Sequence, residues 1–185
     1  MTRATAWAIG GVAAAVFVVI GLVGVYCYNP YHTASRDPGA RLFGVLTSNV
    51  PDDSMLPNLR RGDLILIDTK MVRSLLPRAG EVIAYKPPGM ADTRIGRVIA
   101  TGGSTIEIRN GEVEVDGTTL REPYILAPAD GETGAVLPSR KLGRDTYFVL
   151  GDNRAKSEDS RNFGPVSRDA LIGRVLVITR RRESP

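Results

Sequence analysis

Apolar positions along this chain fall into two regimes, one unbroken and one cut into short pieces. Ala6 to Tyr28 is almost wholly apolar, and no charged residue occurs from Ala4 to Ser35. That run exceeds the roughly 20 residues an α-helix needs to cross a hydrocarbon core. Trp7 near one end, with Tyr26 and Tyr28 at the other, has the character of an interfacial anchor pair. Gly10, Gly11, Gly21 and Gly24 would be costly in a soluble helix and are ordinary in a membrane one. The pattern predicts one membrane-spanning helix over about residues 5–28. A cleaved signal peptide is the rival reading, but the run is longer than a usual apolar region of that kind and no clean small-x-small site follows it. Tyr26 before Cys27 also spoils a lipoprotein signal. Arg3 precedes the span while Arg36 and Arg41 follow it, so the positive-inside count leaves the orientation open.

Beyond the anchor the pattern changes period. Residues 29–41, with Pro30, Pro38 and Gly39, read as a linker, and residues 42–185 as a folded domain. Short β-type runs recur there: Leu64 to Asp68, Val82 to Tyr85, Ile95 to Ile99, Tyr147 to Leu150 and Arg174 to Thr179. Asn110-Gly111 is the strongest local signal, a type I′ hairpin turn. It sets Arg109 opposite Glu112, Ile108 opposite Val113 and Ile106 opposite Val115, which puts the aliphatic pairs on one face and Glu107 with Glu114 on the other. Only Arg168 to Ile172 has any helical character. Short strands at this spacing predict an all-β domain, a barrel or sandwich.

Composition narrows the classes further. The 185 residues suffice for one anchor and one domain of typical size. The formal net charge of +4 owes much to Arg180, Arg181 and Arg182. No groove-reading motif or interleaved aromatic patch accompanies that tail, so nucleic-acid binding is not expected. A single cysteine, Cys27, excludes an internal disulfide, and a single histidine, His32, excludes a multi-histidine metal site.

Three segments carry candidate chemistry: Ser54-Met55-Leu56-Pro57 followed by Arg61-Gly62-Asp63, then Arg97-Val98-Ile99, then Gly151-Asp152-Asn153-Arg154 running to Ser157, Asp159, Ser160 and Arg161. Each alone is weak, since a turn serine, a post-strand turn and a solvated charged loop explain them separately. In this order, downstream of a membrane anchor, they resemble the signature segments of bacterial signal peptidase I, over roughly Val45 to Thr179. The spacing from Gly151 through Arg161 is the most specific part.

The resemblance implies a mostly antiparallel sheet with a barrel-like catalytic core behind one N-terminal transmembrane helix. It implies a serine endopeptidase, without metal or cofactor, that removes signal peptides from exported preproteins on the outer face of the bacterial plasma membrane. The implied partners are signal peptides, the lipid bilayer and the secretion translocon. By position, Ser54 matches the nucleophile and Ser157 the serine that orients a lysine base. Asp152, Arg154, Asp159 and Arg161 match residues that brace the site, and Arg97 the arginine that follows the lysine. A serine hydroxyl needs such a base, and a lysine can serve only when burial lowers its pKa.

Two positions depart from that pattern. Gly96 stands at the lysine position and offers no side chain. Asp52 stands where many members keep a serine that joins the Ser54 backbone N–H in the oxyanion hole, and a carboxylate there repels a developing oxyanion. Among possible substitutes, Arg94 shares the Gly96 face but does not deprotonate, Lys86 follows the neighbouring apolar run, and His32 lies at the membrane exit. A lysine placed at 96 is expected, from sequence, to return an amine to Ser54. Competing functions are an inactive paralogue that binds signal peptides or secretion machinery, a dedicated-substrate peptidase of the conjugative-pilin type, and a self-cleaving repressor. The membrane span and lack of a helix-turn-helix argue against the last.

Overall fold

The N-terminal helix, α1 (Arg3–Tyr28), has 26 residues. At 1.5 Å per residue it is about 39 Å long, enough to cross a bilayer. The computed structural model describes residues 3–29, 37–70, 76–90, 92–125 and 134–179; His32 and Arg180 to Arg182 lie outside them. From Gly11 onward the α1 side chains turn outward, Phe17 being 76% exposed. A helix apolar on all sides and exposed from Gly11 along most of its length is suited to lipid as its solvent. Asn29 ends it with a left-handed φ of 48°, its N–H reaching the Val25 carbonyl.

A short helix, α2 (Pro38–Phe43), starts within the stretch read as linker. Its signals are local. The Asp37 carboxylate accepts from the Ala40 N–H at 3.1 Å, Pro38 opens the first turn, and Gly44 closes the helix at φ 70°. The Arg41 guanidinium lies 4.7 Å from the Tyr26 ring centroid and donates to the Tyr26 carbonyl, tying the end of α1 to the start of the domain.

Two antiparallel sheets follow. The larger has the order β1 (Val45–Asn49), β2 (Leu64–Asp68), β11 (Leu171–Thr179), β3 (Val82–Tyr85), β4 (Arg94–Thr101), β9 (Thr146–Leu150), β10 (Val166–Ser167). The smaller has the order β7 (Thr118–Thr119), β6 (Glu112–Val115), β5 (Thr105–Arg109), β8 (Leu137–Lys141). The Asn110-Gly111 hairpin has the expected register: Arg109 pairs with Glu112, Ile108 with Val113, Glu107 with Glu114 and Ile106 with Val115. Positive φ at both turn residues, 50° and 84°, is what a type I′ turn requires. Ile106, Ile108 and Val113 are buried, whereas Glu107 and Glu114 pair with Arg109 on the open face.

Two short helical pieces complete the domain. Arg168–Ala170 makes one 3₁₀ turn, with Leu171 and Ile172 already in β11. The other piece, α3 (Ser160–Phe163), lies in the segment read from sequence as a loop. Its start is a capping box: the Asp159 carboxylate accepts from the helix backbone and the Asn162 side chain accepts from the Asp159 N–H.

Strand β4 joins the cores. Ile95 packs with Met55, Leu59, Ile65 and Ala84. Val98 packs with Tyr85, Val149 and Leu171. The ladder with β9 then slips between Val98 and Ala100, and Ile99 and Ala100 both turn toward Ile106, Ile108 and Phe148. A bulge of this kind redirects side chains without ending the strand.

Candidate active site

Ser54 lies in the loop between β1 and β2, and apolar anchors fix that loop. Val50, Met55 and Leu59 are each at most 2% exposed in the first core. The Val50 N–H donates to the Asp63 carbonyl and the Gly62 N–H to the Val50 carbonyl, closing the loop at its base. Ser54 itself is 9% exposed.

The segment after β9 meets this loop from the other side. The Asn153 N–H donates to the Ser54 carbonyl at 2.8 Å, and Asn153 Nδ2 to the Asp53 carbonyl at 3.1 Å. Gly151 is required by closeness: a Cβ there would overlap Ser157 Oγ and lie 2.7 Å from the Ser54 carbonyl oxygen. Ser54, Gly151, Asn153 and Ser157 therefore converge. Ser157 also lines a cavity of about 330 Å³ with Ile108, Leu137, Arg154 and Arg161.

The bracing residues form two linked networks. Arg161 clasps the buried Asp159 carboxylate with Nε and Nη2, both at 2.8 Å, while Asp159 Oδ2 also accepts from the Gly151 N–H. Arg97 clasps Asp152 in the same way at 2.8 and 2.6 Å, with Asp152 fully buried. Burial pulls the Arg97 guanidinium pKa down, but the hydrogen bond and charge of Asp152 more than offset it, so the net shift is upward. Arg154 pairs with Glu122.

Several members of these networks carry no signal in the motifs. Asn58 Nδ2 donates both to the Tyr124 carbonyl and to Asp152 Oδ2, at 2.6 and 2.8 Å. The Arg97 guanidinium stacks 4.2 Å from the Tyr124 ring centroid, and the Tyr124 hydroxyl donates to Glu122. Glu122 and Tyr124 lie 25 or more residues from every other member except each other, and only their spacing with proline between them marks the segment.

The two departures take definite form. Asp52 Oδ1 accepts the Ser54 N–H at 3.0 Å, so the group expected to bind an oxyanion already holds a carboxylate. Arg94 Nη1 stands 3.6 Å from Asp52 Oδ2, and Arg94 Nη2 3.2 Å from Glu158, which makes a charged rim beside Ser54. Gly96 pairs with Ile83 in the β3–β4 ladder and is buried. Lys86 is exposed and follows β3, outside the buried part of the site. His32 falls outside the described residues. The site therefore holds a fixed serine with its amide engaged, and a glycine at the position that the resemblance gives to a base.

Known proteins resemble this chain over most of its length. A sequence profile described as "Signal peptidase, peptidase S26" matches residues 38–179. The "Signal peptidase I" of Leptolyngbya laminosa is 34% identical over 147 residues, covering 75% of this chain and 70% of that protein. The "Probable signal peptidase I-1" of Synechocystis sp. is 35% identical over 144 residues, covering 74% and 71%. A crystal structure of a signal peptidase I from Enterococcus faecalis is similar at 31% identity and a TM-score of 0.47, covering 56% of this chain and 97% of that one. With a profile spanning most of the chain and relatives above 30% identity over three quarters of it, the chain belongs to the signal peptidase family, peptidase S26.

Proposed function

We propose that Ser54 is the nucleophile through which this chain cleaves signal peptides, and that cleavage is slow because no base stands beside it. Family membership makes the chain a membrane-associated peptidase that removes signal peptides from exported proteins. The observation that carries the serine reading is the clasp on the nucleophile loop, the Asn153 N–H on the Ser54 carbonyl with Gly151 and Ser157 packed against it. That clasp holds Ser54 at the rim of a sheet where an extended peptide can lie, its backbone paired and its alternate side chains in shallow pockets. Small residues at the first and third positions before the scissile bond fit that arrangement. The one apolar helix of membrane-spanning length among the described residues supports an anchored protein, and the family reading sets its catalytic domain on the outer face of the plasma membrane.

A second reading, binding without cleavage, is favoured by one observation: the Asp52 carboxylate occupies the Ser54 N–H. Full-length chain in detergent, incubated with a preprotein carrying an Ala-x-Ala site, separates the two. Slow release of the mature protein, abolished in Ser54→Ala, is the expected result. Binding of the preprotein with no cleavage in either chain would replace the serine mechanism with the second reading.

A further inference from the structure

Gly96 marks more than a missing amine. It is not needed for backbone conformation, because its φ lies outside the left-handed range that Gly103 and Gly111 adopt. It is needed for space. An ideal Cβ at this position would lie 2.6 Å from Val149 Cγ1, 3.3 Å from Tyr85 Cε1 and 3.3 Å from the Leu150 carbonyl oxygen. Val149 is wholly buried and, being β-branched, has few rotamers to retreat into. Tyr85 is 1% exposed, and its ring is braced by Phe163 at a centroid distance of 6.3 Å. In a core packed to crystal-like density neither neighbour withdraws without displacing others.

We propose that Tyr85 and Val149 fill the volume a base on β4 would need, so that the site is closed by an aromatic plug and Gly96 is held in place by that packing. Tyr85 is thus a positioning residue, acting through the shape of the slot. Burial first, then the charges of Asp159, Asp52 and Glu158 against that of Arg94, push the pKa of its hydroxyl upward. A phenol held neutral in this way can donate a hydrogen bond to a neighbour but cannot take a proton from Ser54, so it closes the slot without replacing the base. The inference rests on the serine reading for its activity arm only; the packing arm stands on the slot itself.

The test is a set of variants of the full chain, read by cleavage of an Ala-x-Ala preprotein and by thermal unfolding. Gly96→Lys alone is expected to unfold at a lower temperature than the parent and to gain little activity. Gly96→Lys with Tyr85→Ala and Val149→Ala should gain roughly tenfold or more over Gly96→Lys, and that activity should rise with pH as the new ammonium loses its proton. Gly96→Lys with Tyr85→Phe keeps the ring and should behave as Gly96→Lys does. A Gly96→Lys chain that is as stable as the parent and as active as the opened variant would overturn the proposal. Should no variant cleave, stability decides it: Gly96→Ala should lower the unfolding midpoint in the parent and cost markedly less in a Val149→Ala background. Additive costs of the two substitutions would overturn the slot.

Discussion

Asp52 and Ser54 show how two residues set the chemistry of this site. A carboxylate two residues before a serine readily accepts the backbone N–H of that serine, a local contact that its neighbours here reinforce. The Arg94 guanidinium at 3.6 Å partly neutralises Asp52, which lowers the cost of keeping an anion in this position. The same contact engages the Ser54 N–H, the backbone donor that the family resemblance assigns to an oxyanion. Replacing Asp52 with serine frees that N–H and supplies a hydroxyl beside it, and a single oxyanion donor is typically worth about 10² to 10³ in kcat. With glycine at the proposed base position the expected gain falls below that range, an increase of roughly tenfold in kcat with KM little changed. Asp52→Asn keeps an oxygen able to accept the Ser54 N–H and should gain less. Steady-state kinetics on an Ala-x-Ala peptide compares the two, and equal gains would show that charge, not occupation of the donor, is the obstacle.

At the scale of elements, the hairpin and the loop after β9 differ in what holds them. The β5–β6 turn is local, and Gly111 at φ 84° is the residue on which it depends. Gly111→Ala should cost about 1 kcal/mol or more in denaturant unfolding, because a side chain disfavours that backbone region, and cleavage should be unaffected. The loop after β9 is held by buried ions instead. Asp152 receives Arg97 twice and Asn58 once and is fully buried. Removing one partner of such a pair leaves the other charge buried without compensation, so Asp152→Ala should cost about 3–5 kcal/mol. An Asp152→Ala chain within 1 kcal/mol of the parent, roughly the value of an exposed pair, would show that Arg97 finds water on losing its partner.

For the whole molecule, the question is how a membrane helix and a two-sheet domain are held together. Arg41 meets the Tyr26 ring and carbonyl at the end of α1, and α2 leads through Gly44 straight into β1, whose far end opens into the Ser54 loop. Ser54, the proposed nucleophile, is therefore reached from the end of α1 through α2 and β1. Such a connection would serve on either side of a membrane, and the family to which the chain belongs makes the outer face the expected side for the domain. A reporter that works only in the cytoplasm, fused after Pro185, should be silent, and a strong cytoplasmic signal would reverse the assigned topology.

The anchor, most strands and the β5–β6 register were legible in the sequence because each rests on local chemistry: an unbroken apolar run, alternation, and an Asn-Gly turn. The meeting of Ser54 with the Gly151 to Arg161 segment was implied by the family resemblance alone, since the segments lie about a hundred residues apart and no local spacing brings them together. Helices α2 and α3 went unread although their capping residues were present, because each has six residues or fewer and lacks the periodicity by which helices are recognised. Tertiary structure alone decided the rest. Asn58, Glu122 and Tyr124 join the site only after the sheets bring distant segments together. From sequence, Gly96 is a position without a base, to be mended by one lysine. In the folded chain Tyr85 and Val149 already occupy that space, because packing density depends on every neighbour at once and no single stretch of sequence records it.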